Sequence, residues 1–216
     1  SYSWLHTATE AGGLPVYCVF GAGGHARDLL GQLAELAPNA VAVLVDEIAP
    51  DRELCGVPVV SLDEALAAHR NLPWLIALGD PQSRSLAAAK LRERGATFGR
   101  FLSKRAYLAS DARIADGAQV FAGSSVSSNS EVGFGVILNF NCSVSHDSHL
   151  GEFVTLSPGC TIAGRVRMGA RTFIGAGATI APRRLGQSLT IGPDAIIGAG
   201  ALVINDVPQG ARFAGV

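Results

Sequence analysis

Charge and aromatic rings are both in short supply here: 16% of the 216 residues are charged and 6% are aromatic. The formal net charge of -1 leaves no basic surplus of the kind that nucleic acids or anionic membrane surfaces demand. No apolar run approaches the roughly 18 residues of a membrane span. No basic stretch followed by an apolar one opens the chain, so a secretory leader is not expected either. Cysteine is sparse as well. Cys18, Cys55, Cys142 and Cys160 form no C-x-x-C pair, which argues against a zinc ribbon or a dithiol redox motif and fits a reducing, cytoplasmic setting. Of the five histidines, His6 falls in residues 1–14, which read as an inert tail.

Aliphatic side chains and glycine are plentiful. Hydrophobic residues reach 48%, enough for a sizeable core, and there are 26 glycines. They are not spread evenly, because the chain changes period near Ser103. Before that point strand-like and helix-like stretches alternate. Apolar runs at 16–20, 41–45 and 74–78 predict strands. Helical spacing covers 26–36, 62–70 and 82–94, the last closed by Gly95. Strands alternating with helices imply parallel βαβ units. A region of about 90 residues is half of a doubly wound dinucleotide domain, and residues 15–105 are expected to form it.

The remainder, residues 106–216, is a repeat. Aliphatic residues or methionine recur every six positions at Ile114, Val120, Val126, Val132, Leu138, Val144, Leu150, Leu156, Ile162, Met168, Ile174 and Ile180. The series resumes at Ile191, Ile197 and Val203, so five extra residues sit between Ile180 and Ile191. Two positions before each of the first twelve stands a small or β-branched residue, such as Ala118, Ser124, Cys142 or Val154. A period of six fits neither an α-helix nor an alternating strand. It fits a triangular solenoid in which each hexapeptide makes one side and one corner, and three close a coil of eighteen. The aliphatic points inward, and glycines such as Gly133 and Gly151, directly after it, are expected to allow the corner angles. Cys142 and Cys160, eighteen apart, should stack as small core side chains in adjacent coils.

Several residues carry chemistry. His146 follows the inward Val144 by two, so it should leave the prism near a corner. Histidine titrates near neutrality and suits a general base, and the adjacent Asp147 can orient its ring. His146 with His149 also reads as a metal pair, but a zinc hydratase needs a third histidine, and His6, His25 and His69 lie outside the solenoid. A catalytically idle trimeric scaffold is another reading. Asn139 is either a turn former or a hydrogen-bonding rung. Arg183 and Arg184, in the five-residue surplus, can meet a phosphate or simply be solvated. In the first half, Gly21-Ala22-Gly23-Gly24-His25-Ala26 places G-x-G-x-x-A between a strand and a helix, with Asp46 after the second strand. That is the pattern of a phosphate-binding turn, although no second half is present to take a nicotinamide.

Three stretches resemble a known group: the opening VFGAGGHARDLL, the central ILNFNCSVSHDSHLGEFVTLSPGCTIAG and the closing IGAGALVINDVPQGARFAGV. The sequence is similar to hexapeptide-repeat nucleotide-sugar N-acetyltransferases of the UDP-4-amino-sugar and GDP-perosamine type, with sialic-acid O-acetyltransferases as relatives. The resemblance spans residues 16–216. It implies an α/β half-Rossmann domain followed by a left-handed parallel β-helix, assembled as a homotrimer. The implied activity is acetyl-CoA-dependent N-acetylation of a nucleotide-linked amino sugar, by direct attack and without a metal. O-acetylation of a sugar or sialic acid is the alternative. The resemblance maps the catalytic pair onto His146 and Asp147, where some members carry Glu in place of Asp. It maps acetyl-CoA contacts onto Thr155, Gly164, Ala176 and Ala199. Nucleotide-sugar contacts fall on Gly23, Gly24, His25, Asp46, Gly79 and Asn139. It also implies a short Pro-Ala-Lys-like tail beyond Val216.

Overall fold

The structure, a computed structural model, describes residues 16–37, 39–50, 52–182 and 186–214. His6, Arg183 and Arg184 therefore lie outside the described residues. The chain divides into two compact units. One runs up to Gly79 and takes in Leu86–Arg100; the other joins Asp80–Ser85 to everything from Phe101 on.

In the first unit the apolar runs become strands of one sheet, because side chains without charge on either face can be covered on both. The elements are β1 (Tyr17–Phe20), α1 (Gly24–Ala34), β2 (Val41–Val45), β3 (Arg52–Leu54), β4 (Val57–Val60), α2 (Leu62–Ala68) and β5 (Trp74–Ile76). The sheet order is β3-β4-β2-β1-β5, and β1 pairs in parallel with both β2 and β5. All four β1 residues are buried. The α2 helix opens on a capping box, in which Ser61 and Glu64 satisfy each other's backbone donors. The sequence reading missed the antiparallel β3–β4 hairpin. Its two-residue turn is Cys55-Gly56, with φ of 52° and 78°; two successive left-handed residues match the twist of a tight hairpin. The chain moves outward from β1 through β2 to β4, then returns to β5 on the other side of β1. The strand order thus reverses between β1 and β5. A further helix, α3 (Pro81–Glu93), follows β5.

The second unit is a left-handed parallel β-helix. Among the described residues its two- and three-residue strands stack into three parallel faces of six, five and seven strands. Face 1 runs from Tyr107–Leu108 to Leu202–Val203, face 2 from Arg113–Ile114 to Leu189–Ile191, and face 3 from Phe101–Leu102 to Arg212–Phe213. Pairing joins residue i to i+18, as in Val126 to Val144 to Ile162. Every aliphatic of the six-residue series from Val120 to Ile180 is at most 2% exposed. The stack is longer than the repeat read from the sequence. Leu102 and Leu108 extend it at the start, and Val207, which bridges to Ile191, extends it at the end. The five extra residues are absorbed between faces 1 and 2, since Met168 pairs with Ile191 rather than with residue 186.

The small residues two before each aliphatic are buried too, and the polar ones share one solution. Hydroxyls of Ser124, Ser130 and Ser148 donate to carbonyls fifteen residues on, those of Asn139, Ser145 and Ala163. The thiols of Cys142 and Cys160 do the same to Ser157 and Gly175, each at 3.2 Å. These cysteines are buried and free. The contact with Cys160, together with burial, pushes the Cys142 thiol pKa up.

The role expected of glycine needs correcting. Left-handed backbone falls three residues after the inward aliphatic, at Gly117, Gly123, Asn129, Gly135, Asn141, Asp147 and so on. The glycine directly after the aliphatic serves close approach instead. A Cβ on Gly133 would lie 2.8 Å from the Leu150 carbonyl oxygen of the next coil.

Candidate active site

Three edges separate the faces. The first edge, from face 1 to face 2, carries the turn His146-Asp147. Val144 anchors the strand before it and Leu150 the strand after it, both fully buried. Between them His146 and Asp147 turn out of the prism, while Ser148 stays buried. Asp147 takes the left-handed conformation, φ 58°, which Asp tolerates better than most residues. The side chain of His146 is 59% exposed, and its Nδ1 lies 2.8 Å from Asp147 Oδ2. Asn129 Nδ2 donates to the other oxygen, Oδ1, at 2.7 Å. The amide of Asn129, then His146 and the Arg165 guanidinium, hold the Asp147 carboxyl below its ordinary range. An ionised carboxylate only accepts, so the proton of a neutral His146 ring resides on Nδ1. Nε2 then carries the lone pair that a base needs.

Gly164 lies one coil on at the same edge, against the ring. A Cβ there would come within 2.8 Å of His146 Cε1 and Nε2. On the adjoining face 2, a cavity of about 430 Å³ is lined by Arg113, Arg165 and Arg167 among others, beside Asp147. His149 lies on that face with its Nδ1 2.9 Å from Glu131 Oε2.

The other solenoid positions gather elsewhere. Ala176 and Ala199 occupy turns of the third edge, from face 3 to face 1. They lie in adjacent coils, joined by Gly200 N–H donating to the Ala176 carbonyl at 2.8 Å. Asn139 precedes a turn of that same edge, and its Oδ1 accepts from Phe140 N–H at 2.9 Å. Thr155 is on face 3 and buried. Its hydroxyl accepts from Arg84 at 2.8 Å, and Arg84 also donates to the carbonyls of Gly135 and Phe153, each at 2.7 Å. Burial pushes the pKa of Arg84 down to about 9, against the pull of Asp80, so it stays cationic at neutral pH. No feature of the helical spacing in 82–94 singled this arginine out.

The first unit forms its own constellation, beyond the carboxyl ends of β1, β2 and β5. Gly21 has φ 108° and packs so closely on Ala77 that a Cβ would meet its carbonyl oxygen at 2.8 Å. Gly23 and Gly24 begin α1, are exposed and have open space where side chains would stand. His25 follows, half-buried, and Gly79 lies after β5, where the strand order reverses. Open crevices of this kind, at the carboxyl end of a parallel sheet, are where nucleotides bind. Asp46 accepts from the backbone N–H of Ile48 and from the Arg52 guanidinium, and both hold its carboxyl low. Arg52 in turn reaches the Ala22 carbonyl at 3.2 Å. Arg52 was not foreseen, and only the unforeseen hairpin puts it beside the glycine turn.

No protein-family model matches the sequence, and no curated protein does. Solved structures do. A histidine-to-alanine variant of the GDP-perosamine N-acetyltransferase from Caulobacter crescentus, in complex with CoA and GDP-perosamine, is 32% identical over 94% of this chain and 93% of its own, with a TM-score of 0.83. The acetyltransferase domain of PglB from Neisseria gonorrhoeae, bound to acetyl coenzyme A, is 29% identical over 94% and 97%, with a TM-score of 0.84. WeeI from Acinetobacter baumannii is 25% identical over 93% and 96%, with a TM-score of 0.87.

Proposed function

The chain belongs to the hexapeptide-repeat nucleotide-sugar N-acetyltransferases, and from that membership we propose that it moves an acetyl group from acetyl-CoA to the amine of a nucleotide-linked amino sugar, with His146 as general base. The observation that carries the assignment of the base is the His146–Asp147 pair on an exposed corner, with Nδ1 committed and Nε2 open. The relative from Caulobacter crescentus, crystallised with CoA and GDP-perosamine, supports the substrate class.

The chemistry is a direct transfer. The sugar nitrogen attacks the thioester carbonyl as Nε2 takes its proton; a C–N bond forms. The tetrahedral intermediate then expels the CoA sulfur, breaking the C–S bond, and no covalent enzyme intermediate or metal is needed. A backbone N–H along the stack is suited to the oxyanion. Asp147 keeps the ring in the tautomer that leaves Nε2 free and stabilises the imidazolium that forms. In this reading residues 15–105 hold the nucleotide sugar through Gly23, Gly24, His25, Asp46 and Gly79, with Arg52 as an added cation; the assignment of Asn139 to the sugar rests on the resemblance. Residues 106–216 carry acyl transfer, with Gly164, Ala176 and Ala199 along the acetyl-CoA path. Thr155 is assigned to the same path, although its hydroxyl is already engaged by Arg84.

The same reading makes the protein a cytoplasmic homotrimer. The outward column of face 1, Tyr107, Ser125, Ser143, Thr161, Thr179 and Leu202, holds no charge, and Tyr107 and Leu202 are well exposed. An uncharged face with exposed apolar ends favours self-association. Face 1 is also bounded by the two edges that carry the mapped solenoid residues other than Thr155. A second copy packed there would bring one chain's first edge toward another's third. Among the described residues no helix is long and apolar enough to cross a membrane.

The test is incubation with acetyl-CoA and a panel of GDP-, UDP- and dTDP-linked 4-amino sugars, GDP-perosamine first, following thiol release. Release with any of them is expected. Silence across the panel with turnover of a sialic acid would replace N- by O-acetylation. His146→Ala is expected to fold normally and lose roughly 10²-fold or more of turnover; a variant with near-normal turnover would remove His146 from the mechanism.

A further inference from the structure

The corner position held by Asp147 recurs one coil back at Asn129 and one coil on at Arg165, with φ of 54°, 58° and 61° along the column. All three side chains therefore rise from one edge in register. Arg165 Nε stands 3.8 Å from Asp147 Oδ2, a loose approach. Asn129 is in closer contact. Its Nδ2 donates to Asp147 Oδ1 at 2.7 Å while Oδ2 faces the His146 ring. The Asn129 backbone N–H donates to Asp111 Oδ2 one coil further back, at 3.1 Å, so the donor is itself anchored.

A carboxylate bonded only to an imidazole can turn about its last torsion and trade one oxygen for the other. The ring it orients then wanders with it. A second donor on the opposite oxygen removes that freedom, because both oxygens of one rigid plane are then placed. The residue supplying it has to tolerate left-handed backbone, which among side chains favours Asn and Asp after Gly. Glycine has no donor, and Asp would set a second carboxylate against Asp147. Asparagine alone of the three satisfies both demands.

We propose that Asn129 is a positioning residue for acyl transfer, fixing the carboxylate plane of Asp147 and, through it, the tautomer and direction of His146. The proposal rests on the reading of His146 as the base. It names a residue that touches no reacting atom, so its effect should appear in kcat and in the state of the ring rather than in KM.

Two variants keep the backbone conformation: Asn129→Gly removes the donor, and Asn129→Asp replaces it with an acceptor. Each is made in the wild-type and in an Asp147→Asn background, with His146→Ala alongside. The first readout needs no sugar. In protein labelled with 15N-histidine, the resonance lost in His146→Ala identifies His146. Its ring is expected to show the Nδ1–H tautomer in the wild-type and a mixture in both Asn129 variants. The second readout is thiol release with GDP-perosamine and the rest of the panel. There kcat is expected to fall about tenfold in Asn129→Gly, and further in Asn129→Asp, with KM for acetyl-CoA unchanged. In the Asp147→Asn background the same substitutions should cost nothing more. An unchanged tautomer in both variants overturns the proposal, and so does an equal loss with and without Asp147. If His146→Ala keeps its turnover, the base assignment fails instead, and the tautomer readout still decides whether Asn129 orders the ring.

Discussion

An exposed imidazole becomes a directed base only when one of its nitrogens is committed elsewhere and its plane has a floor. His146 has both. Asp147 takes Nδ1, and the bare Cα of Gly164 supports the ring from the next coil. The resemblance assigns Gly164 to acetyl-CoA, whereas the packing makes it a seat for the His146 ring. Gly164→Ala separates the two roles. Its Cβ would arrive 2.8 Å from Nε2, and the exposed ring has room to move away. Displacement of a reacting group by about an ångström costs on the order of 10²-fold, so kcat is expected to drop by about 10- to 100-fold with KM for acetyl-CoA held. A raised KM with normal kcat, measured by thiol release, would return Gly164 to the cosubstrate alone. Thermal unfolding should stay near wild-type, because no buried contact is lost.

At the scale of elements, what the sequence disclosed and what it concealed follow from how each element is held. The coils were legible because one position in six must be aliphatic or methionine to fill the prism, and Val120 through Ile180 obey without exception. His146 and Asp147 stood out because a histidine two beyond an inward aliphatic, with a carboxylate beside it, has to leave the prism. The β3–β4 hairpin did not, since Cys55-Gly56 is a weak turn signal and β3 has only three residues. Asn129 is visible only to someone counting back eighteen from Asp147. Arg84 was hidden most deeply. It sits in a charged helix, where an arginine is expected in water, yet it is fully buried and donates to carbonyls and a hydroxyl from two coils. Arg84→Met is expected to cost about 3 kcal/mol, since several charge-assisted hydrogen bonds end without their donor. Arg84→Lys should recover only part, because an ammonium cannot span the sites that a planar fork reaches. Urea unfolding of the three proteins measures this; a Met variant as stable as wild-type would make the network decorative.

For the whole molecule, acid sensitivity adds up from dispersed pairs. Asp46, Asp80, Asp147 and Asp194 are held below an ordinary value of 3.8, and Glu131 below 4.5, by hydrogen bonds and neighbouring cations. A carboxyl whose folded value is depressed binds its proton more readily in the unfolded chain. Its contribution is therefore complete above the unfolded value and is lost as pH falls through the folded one. These pairs are largely exposed, so each is worth little, and the sum is what registers. The unfolding midpoint is expected to be level from about pH 7 to about pH 5 and to decline below about pH 4. A level profile down to about pH 3 would mean that the pairs add nothing to folding.

The surplus between Ile180 and Ile191 has a bearing on how such an enzyme can change over time. Extra residues enter at an edge, and the strands on either side resume their pairing as if nothing had intervened. Variation in length is thereby confined to three lines running along the stack, and one of those lines bears His146. A lineage drifting toward a new substrate can lengthen or trim turns within reach of His146, coil by coil, while the interior that holds that residue in place is inherited unchanged.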